Sequence, residues 1–350
     1  MSSESYLVIG GSGLLGGHII DKLLERGETA VATFDIAPGT TLDKRVRVFV
    51  GDVCDRTTLD KVVKECGATC IFHTVALLQG KDDALVRRVN IEGTRTVISV
   101  AEAQRVSRLV YTSSASVVFA GPDQANVDES APYPERPFDL YNETKALAEQ
   151  AVLQANGRHG LSTTSLRVAA IFGPRDRLSV PTILGTILTG NTNVQIGSNQ
   201  NLFDWTYIEN AAHAHLLAAD RLAPGHPKYQ QVAGEAFFIT NGEPRPYWDL
   251  PRALWREVGY TPKSVTVLPK SIAWLLALML EIVCWVRGTD PLFTRYRVHM
   301  MCATRYCSIE KARKALDYEP PVPLDEGIRR SAQWWMLTHS EEMKKIRALR

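Results

Sequence analysis

Neither sign of charge is in surplus in this 350-residue chain, where 40 Lys and Arg stand against 38 Asp and Glu. Without a basic excess there is no electrostatic case for a nucleic-acid partner. Cysteine is sparse: Cys54, Cys66, Cys70, Cys284, Cys302 and Cys307 include no CxxC pair, and no histidine joins them at metal-ligand spacing. Reduced, scattered thiols are expected, with no disulfide framework and no metal. An apolar run of the ~20 residues that span a bilayer is also missing. The most apolar stretch, SIAWLLALMLEIVCWV over 271–286, is interrupted by Glu281. MSSESYLVIGG enters a strand pattern at once, leaving no room for a signal peptide. Repeats and low-complexity tracts are absent. What remains is an ordinary globular composition, 45% hydrophobic and 22% charged, long enough to bury a full core as one large domain or two coupled ones.

The first half alternates apolar runs with stretches of helical periodicity. YLVI (6–9), AVATFD (30–35), VRVFVGD (46–52), CIFHTVA (70–76), RLVYTSS (108–114) and TTSLRVAAI (163–171) read as strands. The segments between them carry apolar residues at helical spacing, so the expectation is an α/β fold, a doubly wound parallel sheet with helices on both faces. AFFITNG (236–242) reads as one more strand and ENAAHAHLLAAD (209–220) as a helix. Residues 1–174, with 202–242 returning to them, are expected to form the main domain. Residues 175–201 and 243–335 are expected to form a smaller substrate lobe over the carboxyl ends of the strands.

VIGGSGLLGGHII places Gly10, Gly13 and Gly16 after a strand and at the head of a helix. That GxxGxxG spacing suits a tight turn, close approach of a pyrophosphate and an anion at the helix N-terminus, as in a Rossmann-type dinucleotide site. Asp35 closes the second strand, where a carboxylate can accept both hydroxyls of an adenosine ribose and repel a 2′-phosphate. No arginine follows it directly, which favours NAD over NADP. Asp52, closing the third strand, is either an adenine ligand or a plain turn aspartate.

LYNETKALAEQ sets Tyr141 and Lys145 four residues apart, on one helix face. An ammonium there is expected to favour the phenolate, lowering a pKa that is ordinarily near 10. The pair suits removal of an alcohol proton while hydride leaves the same carbon. Ser113 and Ser114 end the preceding strand, where a hydroxyl can hold the substrate oxygen. His213 and His215 lie two apart and cannot share a helix face, so they read as packing residues, as does His73. Trp248, Trp255, Trp274 and Trp285 fit either a lobe covering an apolar ligand or ordinary core.

Together the glycine turn and the Ser…Tyr…Lys set resemble the extended branch of the short-chain dehydrogenase/reductases over nearly the whole chain. RVRVFVGDVCDRTTL, NIEGTRTVI, YTSSASVVFAG, NVDESAPYPERPFDLYNETKALAE, QIGSNQNLFDWTYIENAAHAHLLAA and VAGEAFFITNGEP are similar to the 3β-hydroxysteroid dehydrogenases, and within them to the decarboxylating sterol-4α-carboxylate 3-dehydrogenases of fungi. The resemblance implies that Ser114 orients the substrate hydroxyl, Tyr141 is the acid/base and Lys145 supports it. It further implies that Gly10, Gly13, Gly16, Asp35 and the backbone around Ala76 and Ile171 bind NAD.

The chain departs from the pattern at TVALLQG (74–80) and RVAAIFGP (167–174), which border the expected substrate region. The leading expectation is oxidation of a 3β-hydroxy-4α-carboxysterol with loss of carbon dioxide. The alternatives are a non-decarboxylating dehydrogenase of another polycyclic terpenoid, a nucleotide-sugar epimerase, or an NAD-sensing protein without turnover. Arg175 and Arg177 are candidate carboxylate partners. Residues 271–286, flanked by Lys270 and Arg287, suit a membrane-associated segment or a buried helix. The resemblance implies a homodimer through 84–104 and 141–155, and a place on the cytoplasmic face of the endoplasmic reticulum or on lipid droplets.

Overall fold

Seven strands pair in parallel in a computed structural model that describes residues 4–39, 43–78, 82–291 and 293–349. They are β1 (Tyr6–Ile9), β2 (Val31–Asp35), β3 (Arg47–Val50), β4 (Cys70–His73), β5 (Arg108–Ser114), β6 (Ser162–Val168) and β7 (Ala236–Ile239). Their order is β7-β6-β5-β4-β1-β2-β3. The chain leaves β1 in one direction and resumes at β4 in the other, so a crevice opens beyond the carboxyl ends of these two strands. The continuous apolar runs follow from burial on both faces. In β1, Tyr6 and Val8 belong to one core and Leu7 and Ile9 to the other, the period-two alternation of a strand. Helices α1 (Leu14–Glu25) and α5 (Ile208–Arg221) cover the first face. Helices α2 (Arg56–Cys66), α3 (Thr94–Ala103) and α4 (Leu140–Gln154) cover the second.

Three boundaries differ from the sequence expectation. The strand expected over 163–171 stops at Val168, and Ala170–Phe172 pairs instead with Trp205–Tyr207 in a separate two-stranded sheet. β4 stops at His73, so Ala76 lies in the following loop. The segment of helical spacing between the fourth and fifth strands contains a π turn over Arg88–Gly93. Asn90 is buried there, and its amide closes on the Leu77 backbone at 2.7 and 2.9 Å, tying down the loop after β4.

The carboxyl-terminal part shares its core with the sheet: Leu254, Trp255, Leu316, Ile328 and Trp335 pack in one cluster with Phe237 and Ile239. A four-stranded sheet, in the order Arg245–Pro246, Leu202–Phe203, Arg305–Cys307 and Gln124–Val127, joins the two parts. Helix α6 (Lys270–Arg287) buries only Ala273 and Ala277. Trp285 and Val286 are 82% and 73% exposed, and Ile272, Leu275, Met279 and Ile282 are exposed as well. Among the described residues no helix is long and apolar enough to cross a membrane.

Candidate active site

The glycine turn joins β1 to α1. Gly10 has φ +95°, a left-handed conformation that favours glycine, and its N–H donates to the Phe34 carbonyl at 2.9 Å. A Cβ at Gly16 would lie 2.2 Å from the Gly10 carbonyl oxygen, so only glycine lets the helix start so close to the turn. Helix α1 has no side-chain cap and no acid in its first turn. Its leading N–H groups and dipole therefore face the cavity ready for an anion. These features fit a dinucleotide pyrophosphate. Gly16→Ala is expected to weaken dinucleotide binding by roughly 10- to 100-fold, as overpacking of about 1–3 kcal/mol implies; fluorescence titration with NADH is the check.

Asp35 stands over this turn, its Oδ2 accepting the Ser12 N–H at 3.0 Å. Asp52 pairs with Arg88 and accepts the Cys54 N–H at 2.9 Å, the contacts of a turn aspartate. Ala76 and Ile171 line the same cavity as the glycines, a space of about 1080 Å³. Of the 74–80 segment, Gln79 and Gly80 lie outside the described residues.

Ser114, Tyr141 and Lys145 converge on this cavity. β5 ends at Ser114, whose hydroxyl bonds Ser116 at 2.8 Å. Asp139 caps α4 by accepting the Asn142 N–H at 2.8 Å, which sets Tyr141 in the first helical turn. Burial pushes the Tyr141 phenol up to about 12, while a hydrogen bond with Ser114 acts in the opposite direction. Lys145 is buried, and its ammonium donates to the Tyr111 hydroxyl at 2.7 Å and the Thr112 carbonyl at 2.6 Å. Burial lowers its pKa to about 7, partly offset by Glu149. The expected lowering of the phenol by the lysine is thus reversed. Desolvation disfavours both charged forms, and the ammonium is turned toward the partners on β5.

Several residues at the site escaped the sequence reading. Gly11 is packed so tightly that a Cβ would meet Thr33 Oγ1 at 2.1 Å; the doubled glycine in VIGGSG was the available signal. Tyr111 and Thr112 anchor Lys145. His215 is buried and bridges Thr112 Oγ1 and the Ala211 carbonyl at 2.8 and 2.7 Å, a structural role. His73 bonds Thr94 at 3.0 Å. None of Trp248, Trp255, Trp274 and Trp285 lines the cavity, which takes its aromatic lining from Tyr141, Phe203, Tyr296, Tyr306 and Trp334. Arg175 is paired with Asp21 beside the glycine turn, and Arg177 is an exposed residue at the cavity edge.

Asp204 also lines the cavity, buried, with Oδ2 accepting the Cys307 N–H at 2.7 Å and Oδ1 without a partner among the described residues. Burial raises its pKa from 3.8 to about 7. The folded state holds this proton more tightly than the unfolded one. Its stabilising contribution is complete below about pH 3.8 and is lost as pH rises to about 7. Asp204→Asn is expected to raise stability at pH 8 by about 1–2 kcal/mol and to change little at pH 4. Urea unfolding at both pH values is the check.

Residues 7–270 match the sequence profile of the 3-beta hydroxysteroid dehydrogenase/isomerase family. The chain belongs to that family. It is 44% identical over 338 residues to the decarboxylating sterol-4-alpha-carboxylate 3-dehydrogenase of Schizosaccharomyces pombe, covering 95% of this chain and 98% of the relative. With the human protein of the same printed name it shares 39% identity over 331 residues, 93% of this chain and 87% of the relative. The crystal structure of a Thermus thermophilus UDP-glucose 4-epimerase in complex with NAD superimposes with a TM-score of 0.72 at 23% identity, over 95% of this chain and 98% of that one. It shows the shared Rossmann-type fold. This 3β-hydroxysteroid dehydrogenase family chain is an oxidoreductase with the extended short-chain dehydrogenase architecture.

Proposed function

We propose that the chain oxidises the 3β-hydroxyl of a 3β-hydroxy-4α-carboxysterol, with NAD as acceptor and loss of carbon dioxide. The observation that carries this reading is 44% identity, over nearly the full length, to a relative bearing that name, joined to a Ser114–Tyr141–Lys145 set on one cavity. The bound dinucleotide supplies the hydride acceptor. Tyr141 takes the hydroxyl proton, Ser114 holds the oxygen, and Lys145 sits one turn below. The product is a β-keto acid. When its C–C bond to the carboxylate breaks, the electron pair moves to the ketone oxygen, carbon dioxide leaves, and C4 takes up a proton. Ser114 and Tyr141 are the donors placed to stabilise that oxygen. Asp35 supports NAD over NADP.

The test is a purified-enzyme assay with a 3β-hydroxy-4α-carboxysterol and either NAD or NADP, followed by absorbance and product mass. NADH together with a ketone lighter by carbon dioxide is expected. A ketone retaining the carboxylate would move the reading to a non-decarboxylating dehydrogenase.

A water-insoluble substrate is delivered from a lipid phase, and the exposed apolar face of α6 suits an interfacial helix between Lys270 and Arg287. We propose that this face rests on the cytoplasmic leaflet of the endoplasmic reticulum or on lipid droplets. Co-sedimentation with phospholipid vesicles is expected to fall when Trp285 and Val286 become Ser; unchanged sedimentation would remove the assignment. The proposed homodimer pairs through 84–104 and 141–155, where Leu85 and Leu147 are exposed. Light scattering tests it, and a monomer mass would dismiss it.

A further inference from the structure

Among the described residues, Arg305 is a cation in the cavity wall that makes no ion pair with an acid. It opens the short strand Arg305–Cys307, between Leu202–Phe203 and Gln124–Val127, and lines the cavity with Ser114 and Tyr141. Its guanidinium carbon lies 4.1 Å from the Phe119 ring centroid and 5.8 Å from that of Phe203. Its side-chain hydrogen bond goes to the Met300 sulfur at 3.2 Å. Among the described residues the buried arginines are neutralised, Arg108 by Glu4 at 2.7 Å and Arg167 by Glu149 at 2.8 Å, whereas half-buried Arg305 is not paired in this way. The nearby acids bond other groups, Asp204 through one oxygen only. Asp204 accepts the Cys307 N–H, and Asp139 accepts the Asn142 N–H and the Tyr296 hydroxyl.

Holding a guanidinium partly out of water without an ion-pair partner is unfavourable, and its planar fork of donors matches a carboxylate. Burial lowers the pKa of Arg305, and the neighbouring Asp139 opposes this without reversing it. Asp139 acts electrostatically on both Arg305 and Tyr141, and Tyr296 is coupled to both as well. The guanidinium and the phenol therefore belong to one electrostatic neighbourhood.

We infer that Arg305 receives the carboxylate that the substrate carries on the carbon next to the reacting alcohol. This rests on the sterol-carboxylate reading above. The pair stabilises the carboxylate as such and not the carbon dioxide it becomes, so Arg305 is a positioning and specificity residue; C–C cleavage is left to the donors at the ketone oxygen. The phenyl rings hold the guanidinium in place while the substrate supplies the missing charge.

The experiment compares wild type, Arg305→Met and Arg305→Lys as full-length enzyme with NAD. The substrates are the 3β-hydroxy-4α-carboxysterol and the same sterol alcohol lacking the carboxylate. Arg305→Met is expected to lose about 100-fold or more in kcat/KM on the carboxysterol, mainly through KM, as truncation of one partner of a desolvated charge pair implies. On the plain alcohol, which brings no carboxylate to Arg305, the loss is expected to be at least about ten-fold smaller than on the carboxysterol. Arg305→Lys keeps the charge and loses the fork, and is expected to fall about ten-fold on the carboxysterol alone. Equal losses on both substrates, or none on the carboxysterol, would overturn the role of Arg305. If Arg305→Met does not fold, the Arg305→Lys split decides by the same criteria. A wild type that oxidises the plain alcohol and not the carboxysterol instead removes the sterol-carboxylate reading, and the inference with it.

Discussion

Tyr141→Phe is expected to reduce kcat by about 10³-fold while leaving NAD binding and the unfolding midpoint close to wild type. A positioned acid/base contributes roughly 10²–10⁴-fold, and phenylalanine removes the only atom of that side chain able to carry the proton. Tyr141 projects into the cavity from the first turn of α4, and its helical backbone is set by the Asp139 cap. The ring can stay in place when the hydroxyl goes. In the free protein the phenol sits at about 12, so it is protonated at neutral pH and cannot abstract a proton until substrate and dinucleotide change its surroundings. Stopped-flow hydride transfer alongside NADH titration makes the comparison. A variant with wild-type turnover would falsify the acid/base assignment. Retained NAD binding with no turnover in the wild type itself would favour a sensing protein.

Local signals made much of this site legible. The run YLVI, the glycine spacing and Asp35 at a strand end are properties of adjacent residues, and each appears in the fold where its periodicity put it. Ser114, Tyr141 and Lys145 come from two elements packed side by side, so strand end and helix start were enough to bring them together. The direction of the Tyr141 pKa was not legible, because it depends on burial and on Tyr111 and Thr112 drawing the ammonium away. Arg305 was missed for a different reason. Its strand has only three residues, and its position is fixed by pairing with segments about 100 and 180 residues earlier in the chain. No periodicity encodes such a contact. The tryptophans stayed ambiguous because aromatic content says nothing about direction: Trp255 packs in the core and Trp285 faces outward. The break after Val168 depends on which sheet receives Ala170–Phe172, a choice settled by the partner strand Trp205–Tyr207.

The largest expected stability effect lies one turn beyond Lys145. Glu149 is fully buried on α4. Its Oε1 accepts the Tyr133 hydroxyl at 2.6 Å and two Arg167 donors at 2.9 and 2.8 Å, and its Oε2 accepts the Ser165 hydroxyl at 2.9 Å. Arg167 comes from β6 and lies over the rings of Tyr133 and Phe238. Removing the carboxylate leaves a guanidinium inside the protein with nothing to neutralise it, so Glu149→Ala is expected to lose about 3–5 kcal/mol in urea unfolding. The double variant Glu149→Leu with Arg167→Met removes both charges and fills the volume, and is expected to recover most of that loss. Non-additivity of this kind separates a buried ion pair from two independent packing residues. Glu149 also raises the Lys145 pKa against the effect of burial, so its loss moves that pKa down and disfavours the charged lysine. Where the double variant folds, the limb of its pH–rate profile that reports the lysine is therefore expected to shift to more acidic pH. A profile identical to wild type would show that the charge of Lys145 does not enter the rate-limiting step.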